Sequence, residues 1–245
     1  MNKIHIDLAA ERVGTFLGMP ITNTLLMAFI SMAVLLIISL LIRRKASILP
    51  GRLQTIFEML IGGVYDYIKE TLESEELAQR FYPLILTIFL FILTVNWLEF
   101  IPGVGSVGFF GGKGGEFTPL FRAASTDLNF TLALTLIAFC TIEFAGAKTL
   151  GFSYLKKFVN LKSPLQFSVG AIDLFSEMAR LISFSFRLFG NIFAGEVIIA
   201  VIIYFIPVIA PIPIILFEVF VGFIQAAIFA LLTLFFIKIA VSPSH

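Results

Sequence analysis

Four polar side chains stand inside one of the most apolar stretches of the chain, RLISFSFRLFGNIFAGEVIIA at 180–200. They are Arg180, Arg187, Asn191 and Glu196. An arginine stays charged and only donates hydrogen bonds, so it can attract a carboxylate or repel a cation but cannot relay a proton. A carboxyl group can relay one, because it gains and loses a proton. This mixture predicts a site that handles protons or anions.

Polar residues lie on both sides of Arg187 along the same segment. Asp173, Ser176 and Glu177 precede it, and Glu196 follows nine residues later, about 13 Å along the axis of a helix. The order of acid, cation and acid predicts two proton sites separated by a positive barrier. For any single one of these residues, a structural ion pair between helices remains the alternative.

A second long apolar segment carries Glu218 and Gln225, which are seven residues apart and therefore share a helical face. A tight fold-back at Pro207 would make the two segments an antiparallel hairpin. It would place Arg187 level with Gln225, and Glu196 level with Glu218. Two carboxylates held close in a partly dry site cannot both ionise easily, so this pair suits proton transfer. Two unrelated acids facing a pore remain the alternative.

The composition places these side chains in a membrane. Hydrophobic residues make up 59% of the 245 residues and charged residues only 13%, about half the charge of a soluble domain. The mean hydropathy is +1.02. We expect membrane lipid as the surroundings and no nucleic-acid partner, and neither the two His nor the single Cys140 suggests a metal site or cofactor.

The apolar runs predict an all-α integral membrane protein with one membrane domain, 1–245, and five spans. The spans are 21–42, 81–101, 127–147, 167–206 and 212–240, with a surface amphipathic helix at 51–76 whose apolar residues recur every three or four positions. As a helix, 170–206 would be about 55 Å long, against a hydrocarbon core of about 30 Å. The last two spans are therefore predicted to be long and oblique and to form a hairpin.

Basic residues are distributed unevenly over this map, which predicts the orientation. Loops rich in Lys and Arg stay inside, so the N-terminus is expected outside and the C-terminus inside. The inner side would hold Arg43, Arg44, Lys45, Arg52, Lys69, Arg80, Lys148, Lys156, Lys157, Lys162 and Lys238, and the outer side Lys3, Arg12, Lys113 and Arg122.

Three motifs resemble one known family. SFRLFGN at 185–191, followed five residues later by an acid and by a Gln in the last span, resembles the a subunit of the membrane sector of F-type rotary ATP synthases. STDLNFT at 125–131 and NWLEFIPG at 96–103 are similar to that family's pattern at the outer ends of two spans. The resemblance covers roughly 20–240.

The resemblance implies a role for each polar residue. Arg187 would be the essential arginine facing the rotating c ring, Asn191 the nearby amide and Gln225 the glutamine beside the arginine. Glu196 would be the acid of the outer half-channel, and Glu218 stands where many members have His. The inner half-channel would be lined by Asp173, Ser176 and Glu177.

The resemblance also implies a proton-translocating stator channel that is not catalytic by itself. Its partners would be the c-subunit ring, a b-type peripheral stalk and, through the complex, the F1 sector. The expected location is a bacterial plasma membrane, with an organellar inner membrane as the alternative. Asp127 is left open between a cap of its helix and an outer-channel residue, and Asn96 and Glu99 between an interfacial and an outer-channel position; the resemblance favours the outer channel.

The alternative function is a secondary transporter that uses Arg187 to bind an anionic substrate. Such a transporter would show paired broken helices or an inverted repeat, and the two halves of this sequence show neither. A purely structural membrane scaffold is a third class, but it leaves the charges inside the spans unexplained.

Overall fold

The computed structural model describes residues 9–16, 18–45, 51–110, 117–151, 164–207 and 209–242. Most of these residues are helical, and five of the helices are long and apolar enough to cross a membrane. The predicted all-α fold class is confirmed. The helices are α1 (Asn23–Lys45), α2 (Arg52–Leu72), α3 (Glu75–Leu98), α4 (Leu128–Leu150), α5 (Pro164–Phe205) and α6 (Pro211–Val241).

The last two helices are much longer than the others. Helix α5 has 42 residues, or about 63 Å, and α6 has 31 residues, or about 46 Å. Pro211 begins α6, where its fixed φ suits the first helical turn and its missing N–H costs no helical hydrogen bond. The two helices pack against each other, and α6 also packs against α3 and α4.

Side chains at the helix ends fix where several helices start and stop. Ser74 accepts a hydrogen bond from the Leu77 backbone N–H and caps the start of α3. Glu73, at the end of α2, adopts a left-handed conformation with φ 53°. This conformation ends α2 and separates it from α3. Asp127 accepts from the Asn129 backbone N–H at 2.9 Å and so caps the start of α4, which is one of the two positions left open from the sequence.

Two short β-hairpins lie outside the helices and were not predicted from the sequence. One pairs β1 (Arg12–Phe16) with β2 (Met19–Thr22), directly before α1. The other pairs β3 (Gly108–Phe110) with β4 (Phe117–Pro119), in the connection from α3 to α4. The Asn23 amide donates to the Pro119 carbonyl at 3.3 Å, which joins the start of α1 to the second hairpin.

The apolar core is built around α6. Ile68 of α2 and Ile142 of α4 belong to one buried cluster with Leu234 and Ile237 of α6. A second cluster contains Ile88, Ile92, Ala123, Ala138, Phe184, Leu188, Ile192, Ala226 and Phe229. In its most apolar stretch, α6 has 44% of residues buried and α5 only 17%. One face of α5 is therefore open, and the polar residues of interest lie along this helix.

Ion pairs close the end of the bundle where α2, α3 and α6 meet. Lys238 near the end of α6 pairs with Glu73 at 2.7 Å, and Lys69 of α2 pairs with Glu75 of α3 at 2.9 Å. All four groups are exposed or nearly so, and exposed pairs contribute little to stability. Their importance is geometric. The first joins the end of the predicted surface helix α2 to the C-terminal end of α6, and the second joins α2 to the start of α3.

Candidate functional site

Arg187 lies on the exposed face of α5, near the middle of the helix. Its guanidinium donates a long hydrogen bond to Ser183 Oγ at 3.4 Å, and the Asn191 amide donates to the Arg187 carbonyl oxygen at 2.8 Å. The predicted helical face of Ser183, Arg187 and Asn191 is therefore present as a connected polar strip. Arg187 makes no ion pair with any of the described residues.

Gln225 of α6 lies level with Arg187, as the hairpin register predicted. Both side chains line one small cavity of about 10 Å³, together with Phe184, Leu188, Ile228, Phe229 and Leu232. A cavity of this size holds a single water molecule at most. The arginine and the glutamine are thus adjacent across the two long helices, and Gln225 itself is buried.

The polar residues before Arg187 form a group at the other end of the helix from Glu196. Asp173 is half-buried, and Ser176 is exposed and donates to the Ile172 carbonyl oxygen at 2.9 Å. Glu177 is buried and forms an ion pair with Arg180, one turn further along α5. The separation of three residues between this acid and this base is the signal from which the pair could have been found.

Arg180 also connects the two long helices. Its guanidinium carbon lies 3.8 Å from the centre of the Phe236 ring of α6, a close cation–π contact. The charge of Arg180 is therefore held by Glu177 on one side and by an aromatic face on the other. Arg180 and Arg187 share a helical face as predicted, but only Arg180 has a carboxylate partner among the described residues.

Glu196 has a partner that the sequence did not reveal. Arg122, in the connection from α3 to α4, donates from Nε to Glu196 Oε1 at 3.0 Å and to Oε2 at 3.3 Å, and from Nη2 to Oε2 at 3.0 Å. Only 10% of the Arg122 side chain and 29% of the Glu196 side chain is exposed. The guanidinium thus occupies both carboxylate oxygens from a partly buried position.

Glu218 lies against the helix that carries Glu196. Its side chain is buried, and the carboxyl group rests on Gly195, the residue before Glu196. A Cβ on Gly195 would lie 2.7 Å from Glu218 Oε1 and closer still to the carboxyl carbon. The close approach needs a glycine, and it brings Glu218 next to Glu196 as the register predicted.

A third acid, Glu99, belongs to the same group. It directly follows α3 and is half-buried. The pKa of the Glu99 carboxyl is raised to about 8, first by burial and then by the negative charges of Glu196 and Glu218, against an opposing effect of Arg122. Near neutral pH this carboxyl is therefore mostly protonated. The charged groups that act on Glu99 are thus the two acids of the hairpin and Arg122.

The residues just before Glu99 hold α6 in place. The Asn96 amide donates to the Gly222 carbonyl oxygen at 3.1 Å and accepts from Ser125 Oγ at 2.6 Å. The Trp97 indole N–H donates to the Val219 carbonyl oxygen at 3.0 Å. These two bonds to the α6 backbone fall between Glu218 and Gln225, so α3 fixes the height of both.

Sequence reasoning missed Arg122 altogether and did not assign Glu99 to the site. Arg122 is 74 residues before Glu196 and lies in an irregular connection, so no helical period links the two. The one signal that could have drawn attention to Arg122 is that it is among the few basic residues of the predicted outer side. Within the part of the chain that the structure describes, no group of three or more His, Cys, Asp or Glu side chains is placed to hold a metal ion.

Comparison with known proteins shows the family of the chain. The family model described as the ATP synthase A chain matches residues 25–238. The chain is 33% identical over 251 residues to ATP synthase subunit a of Desulfotalea psychrophila, which covers 100% of this chain and 95% of the relative. It is 35% identical over 243 residues to the subunit a of Mycobacterium tuberculosis, covering 95% and 92%. It is 31% identical over 214 residues to that of Geobacter sulfurreducens, covering 86% and 84%.

These matches extend over nearly all of the chain, including the last two helices. The five apolar helices make it a multi-pass membrane protein, and the matched relatives are bacterial. The secondary transporter is not favoured. The chain belongs to the ATP synthase A chain family, and it is the proton-channel stator subunit of an F-type ATP synthase.

Proposed function

We propose that Arg187 is the fixed positive charge that separates two proton half-channels and faces the carboxylates of a c-subunit ring. The observation that carries this proposal is that Arg187 is exposed in the middle of α5 and has no carboxylate partner among the described residues. A charge within a membrane-spanning helix is costly unless it meets water or an opposite charge. A carboxylate on a neighbouring subunit supplies that charge.

The open face of α5 supports the ring as the partner. Large apolar side chains are exposed beside Arg187, including Ile182 and Phe186, each 52% exposed. Lipid covers apolar surface equally well, but it does not compensate a guanidinium. A ring whose carboxylates pass this face in turn does both. A b-type stalk and the F1 sector complete the complex, since a stator must be held against rotation.

The outer half-channel is proposed to include Glu196 and Glu218. Both lie on the side of Arg187 towards the connection between α5 and α6, and Glu218 rests against the backbone next to Glu196. A carboxyl group there can receive a proton from outside and pass it to a ring carboxylate. Gln225 lines the same small cavity as Arg187, and the Asn191 amide donates to the Arg187 carbonyl oxygen, so both amides lie beside the arginine.

The inner half-channel is proposed to include Asp173, Ser176 and Glu177. These residues lie on the side of Arg187 towards the start of α5, about five turns or more away from Glu196 along the same helix. Asp173 is half-buried and is the most accessible carboxylate of the group. Glu177 is paired with Arg180, so it shapes the channel wall while Asp173 exchanges protons with the inner water.

The proposed mechanism needs a barrier between the two half-channels. A continuous row of acids would leak protons and dissipate the gradient, whereas the guanidinium of Arg187 repels a proton that moves directly between them. A ring carboxylate gives up its proton to the inner half-channel, pairs briefly with Arg187, and then takes a proton from the outer half-channel. The proton therefore crosses only by riding the ring. The orientation, with the N-terminus outside and the C-terminus inside, follows from the distribution of basic residues.

Single cysteines test the two half-channels in the assembled complex. In a Cys140→Ser background, cysteines at Asp173 and Ser176 should react with a membrane-impermeant thiol reagent from the inside. Cysteines at Glu196 and Glu218 should react from the outside. A cysteine at Ile137, an exposed apolar position on α4, is the control and should not react from either side. Reaction of all four test positions from one side would mean a continuous pore and would refute the proposal.

A further inference from the structure

One face of α4 is open and carries a groove lined by side chains of this helix. We propose that the groove binds one acyl chain of an anionic phospholipid, and that Arg80 and Lys148 bind the phosphate of this lipid at the end of the groove. None of these residues belongs to the proposed half-channels. The inference therefore adds a lipid partner to the subunit and does not depend on the route of the protons.

The groove itself is apolar and large enough for a ligand. It has a volume of about 520 Å³ and is lined by Leu136, Ile137, Cys140, Thr141 and Phe144. Sites for small ligands are usually about 300–1,000 Å³. Three of the lining side chains are large and exposed hydrophobic groups. A hydrocarbon chain fits such a lining, whereas a sugar or a nucleotide would find almost no hydrogen-bonding partner in it.

The length of the groove favours a lipid over a helix of another subunit. From Leu136 to Phe144 the helix axis advances about 12 Å. One leaflet contributes about 15 Å to a hydrocarbon core of about 30 Å, so the groove extends over most of one leaflet. A transmembrane helix would cross both leaflets and would need an open groove along all of α4, which runs over Leu128–Leu150.

Arg80 places a positive charge at one end of the groove. It lies in the second turn of α3, and its guanidinium carbon is 6.0 Å from the centre of the Phe144 ring and 5.5 Å from that of the Phe81 ring. The side chain is exposed. It forms no ion pair with any described residue, although Glu76 lies one turn before it. A guanidinium with available N–H donors suits a phosphate, which it can bind through two parallel hydrogen bonds.

Lys148 adds a second positive charge at the same end. It is exposed and stands four residues after Phe144, so the two side chains are neighbours on one face of α4. Both cations lie on the inner side in the proposed orientation, where anionic lipids attract basic residues close to the membrane surface. Two cations beside an apolar groove match a lipid with a net negative headgroup. A free phosphate ion would leave the groove empty.

The test uses the complete ATP synthase in liposomes of phosphatidylcholine that contain a small fraction of a photoactivatable lipid. The probe carries a diazirine in one acyl chain, and its headgroup is either phosphatidylglycerol or phosphatidylcholine. After irradiation, mass spectrometry of the digested subunit measures the label on residues 136–144. The phosphatidylglycerol probe should label this stretch at least about fivefold more than the phosphatidylcholine probe, since one basic residue near the surface contributes about that preference.

Three variants separate the charges from the groove. Arg80→Gln and Lys148→Gln should each lower the preference for phosphatidylglycerol several-fold, and the double variant should label equally with both probes. Cys140→Trp fills the groove from an exposed position, so it should reduce the label from both probes. Arg43→Gln is the matched control, because it removes the same charge from an exposed residue near the end of α1, and it should leave the preference unchanged.

Four results would overturn the inference. The first is equal labelling of 136–144 by the two probes in the unchanged complex. The second is a preference that persists in the double variant. The third is the absence of label on this stretch, which would show that another subunit covers it. The fourth is competition by inorganic phosphate, which would assign the cations to a free anion. None of these results bears on the proposed half-channels, because lipid labelling does not depend on proton flow.

Discussion

The close contact between Gly195 and Glu218 allows a change that moves one carboxyl group and little else. In Gly195→Ala the new methyl group would overlap the Glu218 carboxyl carbon and lie 2.7 Å from Oε1. Ordinary carbon–oxygen contact begins at about 3.4 Å, and the other carboxylate oxygen is closer than Oε1, so the carboxyl group must retreat by roughly 1 Å. It is the far end of a flexible side chain, and a strained rotamer costs about 0.5–1.5 kcal/mol.

The same substitution should leave the stability of the protein almost unchanged. Alanine is more favourable than glycine inside a helix by about 0.5–1 kcal/mol, which offsets the strained Glu218 rotamer. Proton transfer is far more sensitive, because misplacing a reacting group by about 1 Å can cost on the order of 100-fold. We expect Gly195→Ala to assemble normally and to reduce proton pumping by about 10- to 100-fold.

The assay is ATP-driven acidification of inverted membrane vesicles, followed by quenching of an acridine dye, with thermal unfolding of the purified complex measured in parallel. Gly63→Ala is the control, since a Cβ at this helical glycine of α2 meets nothing within 4 Å. The double variant Gly195→Ala/Glu218→Asp shortens the acid by one bond, about 1.5 Å, and should recover part of the pumping. Normal pumping by assembled Gly195→Ala would show that the position of the Glu218 carboxyl group does not matter.

Three further predictions concern Arg187, the two acids Glu196 and Glu218, and the ion pair of Glu73 with Lys238. Arg187→Ala should abolish ATP-driven pumping and ATP synthesis while the complex still assembles. Arg187→Lys should also abolish both, because a compact ammonium lacks the planar fork of a guanidinium. Near-normal pumping in either variant would refute the central proposal. Glu196→Gln and Glu218→Gln should each slow proton flow, and the double variant should be less impaired than the product of the two effects, whereas fully multiplicative rates would show independent sites. Lys238 holds the pKa of Glu73 below its ordinary value, so this pair should stabilise the protein above that value and lose its effect as the pH falls through the lowered pKa. Accordingly, Glu73→Gln should lower the unfolding temperature slightly at pH 7, and this decrease should become smaller as the pH is lowered below the ordinary pKa of a glutamate; a decrease that does not change with pH would refute the assignment.

The long hairpin and its central pair could be predicted because both follow from periodicity. Apolar runs predict where the helices lie, and a hairpin that turns at Pro207 fixes which residues of the two helices lie at the same level. Arg187 and Gln225 do line one cavity in the structure, and the Glu218 carboxyl group does reach Gly195, next to Glu196. A register error of two residues would have moved each side chain by about 3 Å and to another face of the helix.

The outer ion pair could not be predicted, because its geometry comes from an irregular connection. Arg122 follows β4 and precedes a 3₁₀ turn at Ala124–Thr126, and no repeat relates it to Glu196. The two hairpins that surround it are only three to five residues per strand, too short for an alternating pattern to stand out. Glu99 was ambiguous for a different reason: it lies near the end of the predicted span 81–101, where an acid can face either the membrane interface or a channel.

Arg122, Arg180 and Arg187 carry the same guanidinium group but have different partners. The partner decides what each arginine can do. Arg122 is matched by Glu196 and Arg180 by Glu177, so both charges are settled within the chain. Arg187 donates only to a serine hydroxyl at 3.4 Å and is exposed on the open face of α5. A carboxylate from its own chain would neutralise it permanently and leave nothing to attract the acids of a moving ring. In the proposed mechanism, the lack of such a partner among the described residues would let Arg187 bind one ring carboxylate after another, and release each when a proton arrives.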